Sequence, residues 1–347
     1  MNTVKLHKIL VVGGNGFIGS AVCKAALARG MQVTSISSSG RPYRTPRGHM
    51  PAWANKVEWQ QGDALNPQTF AHIFPQVGGV VHTLGTLLES EGEEAGYKQS
   101  VKDGDLLGLV GHLLTTALGG GGARGNPLAK PTVGGELKKG SYEAMNRDAA
   151  LRVCGAFMAS SPETGCITEG FPRPFIYISA EDIFRPFIPA RYIETKREAE
   201  EGVAKMMQGH PGYRGVYIRP SLVYHAHFRP LTTPAAVLFD LSATIHERIP
   251  HGIPTPSSML RTMGSALSSS RRPSAGSETL DNIRGSSLES VANALVTPPI
   301  HVDSVAQAIC VALEANSGVE GVVTVRKMRE LIGWTKSEDE GKEARVA

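Results

Sequence analysis

The stretch that most restricts how this chain can fold is KILVVGGNGFIGS, residues 8–20. A short apolar run from Lys8 to Val12 ends in glycines. It reads as a strand buried on both faces, as in a parallel sheet. Behind it Ile18, Ala21, Val22, Ala25 and Ala26 recur at helical spacing, and Gly30 is a natural stop. Gly13, Gly16 and Gly19 stand between the two elements. Glycine lets the strand turn sharply, lets the backbone approach a pyrophosphate, and lets the helix pack close to the strand. The helix N-terminus then offers free N–H groups and a positive dipole end to phosphates. Phe17 and Ile18, in the first helical turn, join the three glycines as cofactor-binding candidates. In a chain with 39 glycines the spacing alone means little. Its place between the first strand and the first helix carries the signal.

The rest of the chain continues the alternation. MQVTSIS (31–37), KVEWQQGD (56–63), GGVVHTLG (78–85), FIYISA (175–180) and GVYIRPSLVY (215–224) read as further strands, and GVVTV (321–325) as a last one. Helical patterns stand between most of them, with a short helix near PQTFAHIF. This predicts an α/β fold, a doubly wound parallel sheet covered on both faces. At 347 residues and 41% apolar content the chain suits one large domain. The expected layout is a Rossmann-like domain over 1–332 with a reduced C-terminal substrate region. Insertions fall at 89–140 and 255–298, and a charged, disordered tail at 333–347. Residues 104–140 hold eleven glycines and residues 257–290 eleven serines, and both read as irregular surface segments. HVDSVAQAICVALE (301–314) restores a helix, with Ser304 and Gln307 spaced as a capping box.

The end of the second strand, TSISSSGRPYR, bears on cofactor choice. NAD-selective sites place a carboxylate there for the ribose 2′-hydroxyl. This chain has none. Ser37, Ser38, Ser39, Arg41 and Arg44 are donors or cations that suit a 2′-phosphate, which favours NADP(H) over NAD(H). Asp63, after the third strand, either accepts from the adenine amino group or caps the next helix.

Charge and cysteine usage narrow the classes. Net charge is +4 and basic residues are dispersed, so nucleic acid is not an expected partner. Eight Lys/Arg precede the first acidic residue, Glu58. That bias resembles an import presequence. The first strand starts too early to leave room for one, however, and a positive potential at a phosphate site explains the same bias. Cys23, Cys154, Cys166 and Cys310 form no C-x-x-C pair and read as reduced and structural. No apolar run is long enough to span a bilayer, and LLGLVGHLLTTALGG (106–120) reads as an amphipathic helix.

YISAEDIFRPFIPARYIETKREAE (177–200) carries the candidate chemistry. Tyr192 and Lys196 are four apart and share a helix face. A phenol with an ordinary pKa near 10 needs a neighbouring cation to work near neutrality, and Lys196 could supply it while holding the cofactor ribose. Ser179, ending the fifth strand, could bond the reacting oxygen. The bland alternative is an amphipathic helix whose Tyr and Lys are edge residues, with ordinary ion pairs among Glu198, Glu201 and Lys205.

VVGGNGFIG, VVHTLG, YISA with Tyr192-x-x-x-Lys196, IRPSLVY and HVDSVAQAI together resemble the extended and atypical branches of the short-chain dehydrogenase/reductase superfamily. The resemblance covers about 8–225 and 298–325. It implies a Ser179–Tyr192–Lys196 active site with Asn146 as structural or catalytic auxiliary. It places His82 on the strand that passes beside the cofactor and Val223 in the loop that approaches the nicotinamide. The wider combination, with LGTLLE, YEAMN and YIETKREAE, is similar to fungal mitochondrial dehydrogenase-like proteins of ubiquinone biosynthesis. That implies a quinone-precursor-like substrate and ubiquinone-biosynthesis proteins as partners. It also implies a matrix-side location with peripheral inner-membrane contact, the cytoplasm being the alternative. There are departures. Ser221 replaces the motif glycine after Pro220, and a serine-rich stretch stands where a sugar-binding domain would be. His225 and His227 alternate on one segment, but two histidines do not make a metal site. His82, His301 and Arg219, taken on their own chemistry, read as structural. The leading expectation is an NADP(H)-dependent oxidoreductase. The alternatives are a non-catalytic dinucleotide-binding scaffold and a nucleotide-sugar epimerase or dehydratase.

Overall fold

The computed structural model describes residues 8–86, 141–163, 170–183, 188–225, 232–249, 254–269 and 287–334. The strand β1 (Lys8–Val12) lies between β2 (Gln32–Ser37) and β4 (Gly79–His82), and β3 (Val57–Gln61) lies outside β2. On the other flank come β5 (Arg173–Ile178), β6 (Tyr213–Ile218) and β9 (Gly321–Val323). All pairings are parallel, and the order is β3-β2-β1-β4-β5-β6-β9. The order reverses between β1 and β4, and in such sheets a ligand crevice opens beyond the strand ends at that point.

Alternation along β1 decides the layers. Ile9 and Val11 join one core with the helices α1 (Phe17–Ala28) and, late in the chain, Val302–Leu313. Leu10 and Val12 join the other, with α2 (Ala149–Ala159) and α3 (Ala190–Met207). Both faces of the strand are buried, which is why it reads as an unbroken apolar run. Cys23, Cys154 and Cys310 are free and buried in these cores, while Cys166 lies outside the described residues.

Four sequence expectations need correction. The segment 215–224 is not one strand. Pro220 has no N–H to donate, so the chain leaves the sheet after Ile218. The short β7 (Val223–Tyr224) then pairs with β8 (Ile300–His301) in a separate two-stranded sheet. Ser221, in the glycine position, ties the two by donating to the Pro298 carbonyl at 2.6 Å.

The serine-rich stretch is partly regular. Beyond α4 (Thr232–Arg248) it holds α5 (Pro256–Ser269) and α6 (Ser287–Val296). Serine here starts helices. Thr255 N–H donates to Ser258 Oγ at 2.9 Å while Ser258 N–H donates to Thr255 Oγ1 at 3.2 Å, a reciprocal cap.

The helix α7 (Val302–Leu313) begins earlier than the proposed capping box. His301 caps it, accepting from the Asp303 N–H at 3.2 Å, and Ser304 is buried inside the first turn. Finally, PQTFAHIF lies in a 3₁₀ segment, Pro67–Gln76, kinked at Phe70 so that Phe70, Ile73 and Phe74 all face the core. A last helix, α8, spans Val325–Leu331. The glycine-rich 104–140, the apolar 106–120, His227 and residues 335–347 lie outside the described residues.

Candidate dinucleotide and acid–base site

The glycine turn has the geometry its three positions demand. Gly13 has φ +92°, and a Cβ there would lie 2.7 Å from Thr83 Oγ1. A Cβ on Gly19 would run into the Gly13 carbonyl, so the helix can approach the turn only as glycine. Gly16 occupies the N-cap position of α1, and no side chain caps that helix. Its first N–H groups are therefore available to an anion. Phe17 and Ile18 form the first turn. The residues present fit a dinucleotide pyrophosphate.

Beside the turn lies a cavity of about 800 Å³, lined in part by Val12, Asn15, Ser37, Ser38, Gln61 and Asp63. Ser37 Oγ accepts from the Gly40 N–H at 3.1 Å, which shapes the loop after β2. Gln61 Nε2 donates to the Ser38 carbonyl at 3.1 Å and holds that loop to β3, a contact not anticipated from sequence. No carboxylate stands at the end of β2. Arg41 and Arg44 are both exposed, and Arg44 Nη1 donates to the Gly48 carbonyl at 3.0 Å. Asp63 lines the cavity and does not cap the next helix, whose N-cap position is Asn66. Its Oδ1 accepts the Leu65 N–H at 2.9 Å in a local turn.

Helix α3 brings Tyr192 and Lys196 to one face at the carboxyl end of β5. Lys196 is buried; its Nζ donates to the Ile178 carbonyl at 2.9 Å and lies 6.0 Å from the Tyr192 ring centre. Burial lowers its pKa to about 7, a shift that the Glu200 charge opposes. Tyr192 is pushed up to about 12 by burial, and the cation that partly offsets this is Arg197.

Ser179 differs from expectation more sharply. Its Oγ donates to Glu200 and accepts from Arg197 Nη1 at 3.0 Å. Glu200 is buried and also receives both Arg197 and Arg219. Arg197 Nη2 reaches the Ala180 carbonyl at 2.9 Å. Three consecutive residues at the end of β5, Ile178, Ser179 and Ala180, are thus pinned by α3 through Lys196, Glu200 and Arg197. Arg219 is structural, as expected. Glu200 was missed, although it continues the four-residue spacing of Tyr192 and Lys196.

Asn146 sits fully buried in a π-helical turn, Glu143–Asp148, that runs into α2. Its amide brackets the backbone of Thr86, accepting at 3.0 Å and donating at 3.3 Å, and reaches Thr195 on α3. It clamps the loop after β4 to α3. Arg191 pairs with Glu143 at 2.6 Å and anchors the first turn of α3 to the same segment. His82 does not line the cavity. It is fully buried between Phe175 and Tyr177, its ring nitrogens have no hydrogen-bond partner among the described residues, and burial with the Lys196 charge lowers its pKa to about 3. Val223 is half-buried in β7, outside the cavity. His225 stacks near His301, ring centres 5.1 Å apart, and no metal-binding group occurs among the described residues.

Fold and site together define a Rossmann-type dinucleotide-binding protein with a Tyr–Lys helix. The model of the NAD dependent epimerase/dehydratase family matches residues 9–100. MIOREX complex component 2 of Saccharomyces cerevisiae is 32% identical over 227 residues, 64% of this chain and 74% of that protein. The chain belongs to this epimerase/dehydratase family, the extended short-chain dehydrogenase/reductases. An uncharacterized chloroplastic protein of Arabidopsis thaliana is 47% identical over 62 residues, 18% of this chain and 19% of the relative. A short-chain type dehydrogenase/reductase from Mycobacterium ulcerans superposes with TM-score 0.45 at 15% identity, over 92% of this chain and 88% of that one. Likeness at that level carries no functional argument. The cofactor class is a nicotinamide dinucleotide.

Proposed function

We propose that the chain is an NADP(H)-dependent oxidoreductase in which Tyr192 exchanges the proton and Lys196 holds the cofactor ribose. The observation that carries this is the common face of Tyr192 and Lys196 at the carboxyl end of β5, where neither lines the cavity but Lys196 Nζ donates at 3.4 Å to the carbonyl of Leu84 in the cavity wall. The bound dinucleotide supplies the hydride chemistry. The chain's part is to present the Tyr192 phenol, to orient Lys196, and to keep the helix fixed through Glu200, Arg197 and Asn146. Ser179 is a positioning residue in this reading. The absence of a carboxylate after β2, with exposed Arg41 nearby, supports the 2′-phosphate form.

The proposed substrate is a quinone-precursor-like small molecule, and the proposed setting is the matrix side of mitochondria among ubiquinone-biosynthesis proteins. Both follow from the resemblance of the motifs. The yeast relative is by its name a component of a complex, which supports a seat in a multiprotein assembly. A second reading, a dinucleotide-binding scaffold without turnover, is favoured by the engagement of Ser179 with Glu200.

The two separate on one atom. Wild type and Tyr192→Phe are expressed at equal levels in a fungal strain lacking the protein, and ubiquinone and its intermediates are quantified. Failure of the variant, with assembly intact, is expected. A wild-type profile from the variant leaves the scaffold reading standing.

A further inference from the structure

The four residues Thr83, Leu84, Gly85 and Thr86 leave the carboxyl end of β4 and join the glycine turn to α3. At one end the Thr83 hydroxyl shares its hydrogen between the Val12 and Gly13 carbonyls, at 2.9 and 3.1 Å. At the other the Asn146 amide brackets the Thr86 backbone. Leu84 and Gly85 lie between these anchors. Leu84 lines the cavity, and its carbonyl accepts from Lys196 Nζ at 3.4 Å. The Lys196 ammonium also stands 4.8 Å from the centre of the buried Tyr177 ring, a cation–π contact. Tyr177 in turn donates its hydroxyl to the Asn146 carbonyl at 2.5 Å.

Gly85 differs from the glycines of the turn. Its φ is not positive, unlike that of Gly13, so the backbone does not itself demand glycine. No carbonyl opposes a side chain there, unlike at Gly19. The three heavy atoms nearest to an added Cβ are Lys196 Nζ at 2.6 Å, Asn146 Oδ1 at 3.0 Å and Lys196 Cε at 3.3 Å. Gly85 is exposed, yet the direction its side chain would take points at a buried ammonium. The tip of Lys196 fills the space that an alanine methyl would occupy.

We infer that Gly85 is a positioning residue for Lys196, its missing side chain fixing where the ammonium stands between the Ile178 and Leu84 carbonyls. The importance of that place rests on the proposed ribose role of Lys196, and the test separates the two. A lysine stem is flexible, so a methyl at 85 displaces the ammonium and spares the fold. The Tyr177 ring and the Ile178 carbonyl close the inward side. Displacement therefore carries Nζ toward the Leu84 side, which borders the cavity. Burial is what holds the Lys196 pKa down to about 7, so a wetter place raises it. The titratable groups around Nζ, namely Glu200, His82, Tyr177 and Tyr192, are unchanged by the substitution.

The test follows Lys196 by NMR in full-length protein carrying carbon-labelled lysine, its signal assigned by loss in Lys196→Met. Wild type and Gly85→Ala are titrated without cofactor from about pH 5 to about pH 10. The expected midpoint is about 7 in wild type. In Gly85→Ala it should lie at least about one unit higher, with the urea-unfolding midpoint unchanged. NADPH affinity, measured in parallel, should fall about tenfold in Gly85→Ala. Gly85→Ala/Lys196→Met should bind no more weakly than Lys196→Met alone, because both changes act through one ammonium. A merely structural role for Gly85 gives additive losses and leaves the Lys196 titration in place. Three outcomes overturn the inference: a Lys196 midpoint that stays or falls, additive losses in the double variant, or a Gly85→Ala protein that does not fold. NADPH binding unchanged in Lys196→Met would instead refute the ribose role, and the Lys196 midpoint in Gly85→Ala would then decide the inference alone.

Discussion

Ser179 donates its hydroxyl hydrogen bond to Glu200, one helix turn beyond Lys196. Burial pushes the Glu200 carboxyl up, but Arg219, Arg197 and Ser179 prevail and hold it below its ordinary 4.5. A carboxylate depressed in the folded state stabilises above its unfolded pKa, and that stability is lost as pH falls through the folded value. Glu200→Gln should cost about 3–5 kcal/mol near neutrality, because it leaves two partly buried guanidinium groups without their carboxylate. It should also flatten the acid limb of a urea-denaturation series below about pH 4.5. Ser179→Ala should cost about 1–3 kcal/mol and leave NADPH affinity unchanged. A large loss of affinity would return Ser179 to the cofactor site.

Lys196 behaves oppositely. Its folded pKa, about 7, lies below the ordinary 10.5, mainly through burial. Between those values the unfolded chain binds the extra proton, so stability contributed by this group rises with pH across that window. Lys196→Met should therefore be more stable than wild type at about pH 6 and lose that slope. The same variant should bind NADPH about 10–100-fold more weakly. Thermal melts across pH and a fluorescence titration check the two halves separately.

The glycine turn predicts a contrast between two alanine variants. Gly19→Ala drives a methyl into the Gly13 carbonyl, so it should destabilise by more than about 2 kcal/mol and abolish dinucleotide binding. Gly30 has φ +81° with open space around it. Gly30→Ala should cost only about 1 kcal/mol and spare binding. Equal effects in calorimetry would remove the close-packing argument.

Cofactor selectivity should move with the loop after β2. Arg41→Ala should weaken NADPH about tenfold and leave NADH unchanged. Ser38→Asp should reverse the preference by offering a carboxylate to the ribose 2′-hydroxyl. A parallel loss for both dinucleotides would mean that Arg41 only shapes the loop.

Much of this was legible along the chain. Lys8–Val12 had to be buried on both faces because nothing polar interrupts it. Gly13, Gly16 and Gly19 follow from what a turn, a phosphate and a packed helix require. The shared face of Tyr192 and Lys196 follows from helical periodicity alone. The helices within 254–298 were hidden because serine signals loops by composition and caps by position, and only position tells them apart.

What the sequence by itself determined was the layering, the dinucleotide turn and which residues share a helix face, because strand alternation, glycine sterics and helix pitch are local. What only the tertiary structure decided was the environment of each site residue. Ser179 meets Glu200, Lys196 meets the Ile178 carbonyl, and His82 is sealed between two rings. Burial and charge pairing set those protonation states, and both depend on residues brought together from distant parts of the chain.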